Sequence, residues 1–127
     1  MMHITLHGEP RSKKNSQRLI RAGARIVPIA SKAYADYRND CMKQILGHQR
    51  KGIEGAVNIK CLYYMGTRRK VDLVNLLEAT CDILTDAGVI ADDNSRIVAG
   101  HDGSRVLYDK DRPRVEIEID WLGGAEK

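Results

Sequence analysis

The sequence predicts one α/β (α+β) domain over residues 1–127, in which a small mixed sheet packs against two main helices. Short segments alternate apolar and polar residues at period two, whereas two longer segments repeat apolar residues every three or four positions. Turn residues separate these segments. A chain of 127 residues is long enough for one hydrophobic core but not for two.

The N-terminal third is predicted to hold a strand and a hairpin. Met2–Leu6 alternates in polarity and reads as the first strand. The polar stretch 11–17 has no periodicity and predicts a mobile loop. Residues 18–21 and 25–29 flank a glycine-containing turn, which indicates a β-hairpin.

Two helices are predicted from the apolar spacing. Ser31 is a suitable N-cap for the first, which is expected to run to about His48 with one apolar face. The second is expected over about Leu73–Ala87, and Gly88 follows it as a stop.

The remaining strands are predicted on both sides of the second helix. Ala56–Tyr64 alternates and precedes that helix, and residues 96–101 and 114–120 follow it. A turn-rich stretch is expected between the last two strands. Residues 123–127 are expected to form a frayed tail.

Composition narrows the function classes. No run of about 18 apolar residues occurs, which predicts no membrane span. The N-terminus lacks the apolar block of a signal peptide, so we expect a cytoplasmic protein. The three cysteines are widely spaced, form no Cys-x-x-Cys pair and are expected to be reduced core residues: Cys41, Cys61 and Cys81.

The net charge of +4 is modest, but the basic residues are clustered. One cluster lies in the N-terminal quarter, and Arg68-Arg69-Lys70 directly precedes the second helix. Such clusters suit a polyanion such as DNA, and they also suit an ordinary solvated surface. Charge alone does not decide between the two.

The second helix carries an acidic stripe. At about 100° per residue, the acidic and amide side chains fall within an arc of roughly 120°: Asp72, Asn75, Glu78, Asp82 and Asp86. Surface helices often pair acids with a Lys or Arg four residues away. No basic residue lies between Val71 and Asn94, so these acids must find a cation elsewhere or repel one another.

Each acid also has a structural interpretation. Asp72 could cap the helix, Asp86 could be ordinary surface, and Asp92-Asp93-Asn94 could form an Asx turn. The combination favours a site, because the carboxylates after Gly88 can fold back toward the helix. Two or three converging carboxylates make a hard-oxygen site suited to Mg²⁺, with Mn²⁺ also possible.

These residues, in one order along nearly the whole chain, resemble the RusA family of Holliday junction resolvases, small homodimeric endonucleases of phages and prophages. The resemblance covers Gly8-Glu9-Pro10 with its basic loop, Ser31 to Tyr34, the acidic segment and the final strand. It implies a RusA-like endonuclease domain over residues 1–127.

The family pattern places metal ligands on named positions of this chain. Asp72 matches the first metal-binding aspartate, and Asp93 matches the last ligand with Asp92 beside it. Asn75 and Asp82 match the conserved asparagine and the later aspartate of the helix, and are expected to support the site.

Two positions depart from that pattern. Val74 stands where the family has its second aspartate, and Glu78 stands where it has a catalytic lysine. The longer side chain of Glu78 could supply the missing oxygen, so one acid is lost and another is gained. The expected metal ligands are Asp72, Glu78 and Asp93. The expected catalytic cation is Lys70, with Arg69, Arg68, Lys13 and Lys14 as alternatives.

The resemblance implies a Mg²⁺-dependent, structure-selective endodeoxyribonuclease that resolves Holliday junctions or related branched DNA in recombination and repair. Two-fold symmetry of a homodimer would supply paired nicks. The residues expected to contact DNA are Arg11, Lys13, Lys14, Arg18, Arg68 and Arg69.

Two other functions fit the same residues. The missing aspartate and lysine favour a non-catalytic junction-binding or DNA-binding protein with a degenerate RusA site. A protein-interaction subunit could instead direct its basic loops at an acidic partner. The four histidines show no ligand spacing and are interpreted as surface or internally hydrogen-bonded residues.

Overall fold

The main sheet of the fold is mixed and has five strands. The computed structural model describes residues 1–13, 17–22 and 25–122, without the side chains of 17–22 and 25–30. The elements are β1 (Met2–His7), β2 (Gln17–Ala22), β3 (Arg25–Ala30), α1 (Lys32–Gln44), β4 (Val57–Met65), α2 (Leu73–Asp86), β5 (Val98–Gly100), β6 (Arg105–Tyr108) and β7 (Arg114–Trp121). Neither described helix could cross a bilayer.

Strand β4 organises the sheet. One of its edges pairs antiparallel with β7, which in turn pairs antiparallel with β1. Its other edge pairs in parallel with β5 near its start and with β6 near its end. The hairpin β2–β3 forms a separate two-stranded sheet. The predicted α+β class with a mixed sheet and two main helices is confirmed.

The core follows from the period-two alternation of the long strands. Every second residue of β1 and β4 is buried, as are Val115, Ile117 and Ile119 of β7, while the residues between them are exposed or half-buried. Ile117 of β7 lies between Ile4 of β1 and Cys61 of β4, and all three side chains are buried. Buried residues of α1 and α2 belong to the same core.

Most predicted elements are confirmed within one or two residues. The first strand, the hairpin, the strand before α2 and the last strand all form. Gln17, assigned to the loop 11–17, opens β2 instead, and residues 14–16 of that loop lie outside the described residues. The predicted tail, 123–127, also lies outside them.

Helix α1 begins as predicted and ends earlier. The Ser31 hydroxyl accepts a hydrogen bond from the Tyr34 N–H at 3.2 Å, which confirms the cap. The predicted end near His48 is wrong, because the helix stops at Gln44 and Ile45 has an extended backbone. The Arg50 guanidinium donates to the carbonyl groups of Met42 and Ile45 and satisfies this helix end.

The strands after α2 differ most from prediction. The strand expected over 96–101 is limited to Val98–Gly100, because the N–H groups of Ile97 and Val98 bond back to the carbonyl of Asn94 in a turn. Strand β6 was not predicted. Its residues are all exposed, so it lacks the alternation by which a half-buried strand is recognised.

Helix α2 matches its prediction. Asp72 caps it, and Gly88 follows with a φ of +78°, a backbone conformation that glycine adopts without steric cost. Its apolar side is buried in the core: Leu76, Leu77, Ala79, Cys81, Ile83 and Leu84. The acidic stripe therefore faces away from the core.

The three cysteines are buried free thiols, as predicted. Burial raises the pKa of Cys41 to about 11 and the pKa of Cys61 and Cys81 to about 12. These side chains are therefore protonated near neutral pH.

A buried hydrogen bond joins the sheet to α2, and its removal should destabilise the fold. The Thr80 hydroxyl donates to the Leu76 carbonyl at 2.9 Å, so the Tyr63 hydroxyl donates to the Thr80 oxygen at 2.6 Å. We expect Tyr63→Phe to lower the free energy of unfolding by about 1–2 kcal/mol, measured by urea unfolding. Tyr64→Phe, on the half-buried side of the same strand, is the matched control. Equal midpoints for the two variants would contradict the prediction.

Candidate active site and nucleic-acid interface

Two cavities flank the first turns of α2. The larger, about 1260 Å³, is called the basic cleft. It lies between the chain after β1, the connection from β4 to α2, and the loop before β7. Its charged lining residues are Glu9, Arg11, Arg69, Lys70, Asp72 and Lys110.

The smaller cavity, about 280 Å³, is called the acidic cavity. Helix α2 contributes one wall, the turn after it contributes Asp93, and the β5 region contributes the rest. Its lining residues are Val74, Leu77, Glu78, Cys81, Asp93, Val98 and His101.

The structure brings two of the three predicted metal ligands to one cavity. Glu78 and Asp93 both line the acidic cavity, although 15 positions separate them in the sequence. Asp72 lines the basic cleft with Lys70. Across the part of the chain that the structure describes, no three side chains of the His, Cys, Asp or Glu type are close enough together to hold a metal ion.

Asp72 has the capping role that its position suggested. Its Oδ1 accepts a hydrogen bond from the Val74 N–H at 3.0 Å, and its side chain is exposed. One oxygen therefore stabilises the start of α2. The carboxylate also lies where the basic cleft meets the helix, so it has a negative charge within that cleft.

Val74 lies in the acidic cavity beside Glu78. Val74, the position that the resemblance aligns with an aspartate, therefore faces the same space as Glu78. This placement is what an exchange of one carboxylate for another requires.

The turn after α2 places Asp93. The two oxygens of Asp92 accept hydrogen bonds from the Asp93 N–H at 2.7 Å and from the Asn94 side chain at 3.2 Å. These bonds lower the pKa of Asp92. The Asx-turn interpretation is correct at Asn94, whose Oδ1 accepts a hydrogen bond from the Arg96 N–H two residues on, at 3.0 Å. Asp92 instead accepts from the N–H of the next residue and so holds the backbone of Asp93.

Asp93 lies in a negatively charged environment. Loss of hydration, the hydrogen bond with Asp92 and the nearby charge of Asp82 raise the pKa of the Asp93 carboxyl. Neighbouring carboxylates repel one another unless a cation joins them. A divalent cation would relieve that repulsion.

Cations from other parts of the chain pair with the acidic stripe. The Lys13 ammonium is 2.6 Å from Asp82 Oδ2, and that hydrogen bond raises the pKa of Lys13, with the charge of Glu78 adding to the effect. Further along the helix, Arg38 pairs with Asp86 at 2.7 Å. The expectation that these acids need distant cations is confirmed for both pairs. Asn75, by contrast, is half-buried on α2 and lines neither cavity.

The predicted DNA-contacting residues lie in different places. Arg11 and Arg69 line the basic cleft, and Arg68 lies 4.0 Å above the Tyr108 ring. Lys14 lies outside the described residues, as does the side chain of Arg18.

Sequence reasoning missed two residues at these sites. Lys110 lies in a turn-rich stretch and lines the basic cleft. The sequence shows its charge but not its position in the fold. His101 lines the acidic cavity, and its ring bonds to a backbone carbonyl. No spacing pattern in the sequence indicated His101 as a site residue, because the groups that surround it come from α2 and β4.

Comparison with known proteins agrees with this geometry. The family model described as endodeoxyribonuclease RusA matches residues 7–120. No curated protein matches the chain. The match includes β1's last residue, both cavities and nearly all of β7. The chain therefore belongs to the RusA endodeoxyribonuclease family.

Proposed function

We propose that this protein is a metal-dependent endodeoxyribonuclease that cuts four-way junctions or other branched DNA during recombination and repair. Residues 1–127 would act as one endonuclease domain, in a cytoplasmic homodimer that nicks two opposing strands. Family membership supports the nuclease activity. The juxtaposition of an acidic cavity and a basic cleft across the first turns of α2 supports the metal dependence and the DNA substrate.

The observation that carries this proposal is that Glu78 and Asp93 face one small cavity. Mg²⁺ is commonly held by one or two carboxylates together with water and substrate phosphate, so two carboxylates suit it, and Mn²⁺ accepts the same oxygen donors. Asp72 lies in the adjoining basic cleft, so it would act beside this pair and not as a third ligand within the acidic cavity, and Asp82 and Asp92 would support the site. When bound, the ion supplies an acidified water and a counter-charge for the phosphoryl oxygens.

The basic cleft would hold the DNA backbone next to that cavity. Its charged side chains are suited to phosphate groups: Arg11, Arg69, Lys70 and Lys110. Arg68, stacked on Tyr108, presents a planar cation at the exposed strand β6. Affinity for DNA should then fall steeply as salt rises.

Lys13 is the best-placed source of the catalytic cation. It lies on the acidic stripe within one chain, near Asp82 and Glu78, whereas the predicted Lys70 lies in the basic cleft. A fixed cation at this position would counter the charge that develops on the phosphoryl group.

We expect Lys13→Met to slow junction cutting by about a hundredfold with little change in junction affinity. Single-turnover cleavage of a labelled junction measures the rate, and a gel-shift titration measures affinity. Lys32→Met is the matched control, because Lys32 also pairs with an aspartate, Asp36, but on the exposed face of α1. Similar rates for the two variants would assign the cation to another residue.

The function itself is tested with a labelled four-way junction and a linear duplex of the same sequence. Paired nicks in the junction with Mg²⁺ or Mn²⁺, absent with EDTA and rare in the duplex, support the proposal. Binding without nicks in any divalent ion would instead support a non-catalytic junction binder. Two observations favour that alternative: the predicted metal ligands are divided between two cavities, and Val74 and Glu78 replace the aspartate and lysine of the family pattern. DNA affinity independent of salt would indicate a protein-interaction subunit.

A further inference from the structure

His101 is fixed in one tautomer by the backbone of β4. Its Nδ1 lies 2.8 Å from the carbonyl oxygen of Ile59. A carbonyl oxygen can only accept a hydrogen bond, so Nδ1 carries the proton and donates. In the neutral ring, the lone pair therefore lies on Nε2, the nitrogen on the opposite side.

The backbone around His101 is held as firmly as the ring. Asp102, the next residue, exchanges two hydrogen bonds with the side chain of Asn58, at 2.8 and 3.2 Å. The Ser104 N–H donates to the His101 carbonyl at 3.1 Å, and Gly103 makes the turn with a φ of +87°. Because Asn58 and Ile59 are adjacent on β4, one strand fixes both the loop and the ring.

The Nε2 atom of His101 lies 4.0 Å from the sulfur of Cys81, and both residues line the acidic cavity. This is a long contact to a weak hydrogen-bond donor. The protonated thiol can donate only weakly to Nε2, so it leaves the lone pair open to a stronger donor. The other polar residues of the cavity are Glu78 and Asp93, whose carboxylate oxygens are hydrogen-bond acceptors. A water molecule is thus the suitable donor to Nε2 within this cavity.

We propose that His101 is a further catalytic residue, whose Nε2 accepts a hydrogen bond from the water that attacks the phosphodiester and so orients that water. This inference rests on the proposed nuclease function. A carboxylate that holds a cation has some of its acceptor sites directed at that ion, whereas the hydrogen bond from Nδ1 to Ile59 sets the direction of the Nε2 lone pair. Orientation of the attacking group commonly changes rates by about a hundredfold for a misplacement of about 1 Å.

Two substitutions separate this role from a structural one. Asparagine places its amide nitrogen near the position of Nδ1, so His101→Asn can keep the bond to Ile59 while removing the acceptor. Glutamine places an amide oxygen near the position of Nε2, so His101→Gln keeps an acceptor and gives up the bond. We expect His101→Asn to cut about a hundredfold more slowly than the wild type and His101→Gln to recover at least about tenfold of that loss. Junction affinity and Mn²⁺ affinity should stay within about threefold, a shift of under 1 kcal/mol.

Which of the two variants cuts faster decides between a catalytic and a structural role. A structural role predicts that His101→Asn cuts at least as fast as His101→Gln, and this order overturns the proposal. Unfolding of His101→Asn, seen by thermal denaturation, also overturns it, because the ring would then serve the fold. His48→Gln, at an exposed histidine, is the matched control. No cutting by the wild type would overturn the nuclease function and this inference together, whereas normal cutting by all variants would overturn this inference alone.

Discussion

Replacing Asp93 with asparagine is expected to slow junction cutting by about a thousandfold or more, because several kcal/mol of charge stabilisation at the phosphoryl group depend on a bound divalent ion. Asp93 and Glu78 are the carboxylates that face the acidic cavity. Asparagine keeps the shape of the side chain and the hydrogen bond to Asp92, since that bond uses the Asp93 backbone N–H. The fold should therefore be preserved.

Junction affinity should be unchanged or slightly higher in the Asp93→Asn protein. The substitution removes a negative charge near a polyanion and leaves the basic cleft intact. Cleavage is measured on a pre-formed complex with Mn²⁺, and Mn²⁺ binding is measured separately by electron paramagnetic resonance.

Asp86→Asn makes the same chemical change at the far end of α2, where the carboxylate pairs with Arg38 on the surface. Its cleavage rate should equal that of the wild type. A normal rate for Asp93→Asn, or equal losses in both variants, would remove Asp93 from the metal site.

The parts of the fold that the sequence predicts well depend on local chemistry. The alternation in β1, β4 and β7 and the cap and stop of α2 are each set by residues a few positions apart. The end of α1 was missed because the guanidinium of Arg50, which lies beyond the helix, satisfies its last carbonyl groups. Strand β6 was missed because parallel pairing with β4 stabilises it without burying its side chains.

The candidate site could also be predicted only in part, because its residues come from distant parts of the sequence. The residue types were evident in the sequence, and the acidic stripe on α2 was located correctly. The division of the ligands between two cavities was not evident, since it depends on how α2 lies against the loops after β1 and β5. The ion pair of Lys13 with Asp82 joins residues 69 positions apart. Only the packing of the fold brings such groups together.

Val74 and Glu78 offer the sharpest test of the proposal that Glu78 supplies a carboxylate in place of one at position 74. We expect Glu78→Lys alone to lower the cutting rate by about a thousandfold, because the cavity loses a carboxylate and gains a charge that repels Lys13. Val74→Asp alone should have little effect on stability, since the Val74 side chain is 68% exposed.

The double variant Val74→Asp with Glu78→Lys restores the family arrangement in one cavity. Neighbouring residues that share a function typically show coupling energies of about 0.5–3 kcal/mol, so we expect the double variant to cut about ten- to a hundredfold faster than Glu78→Lys alone. Val74→Asn with Glu78→Lys is the matched control, because it adds a side chain of the same size without the charge. Equal rates for the two double variants would mean that Glu78 does not replace a lost ligand. If the cutting rate recovers in the double variant with aspartate at position 74 but not in the one with asparagine, a carboxylate can enter this cavity from either position of α2. One carboxylate can then replace the other and preserve the site.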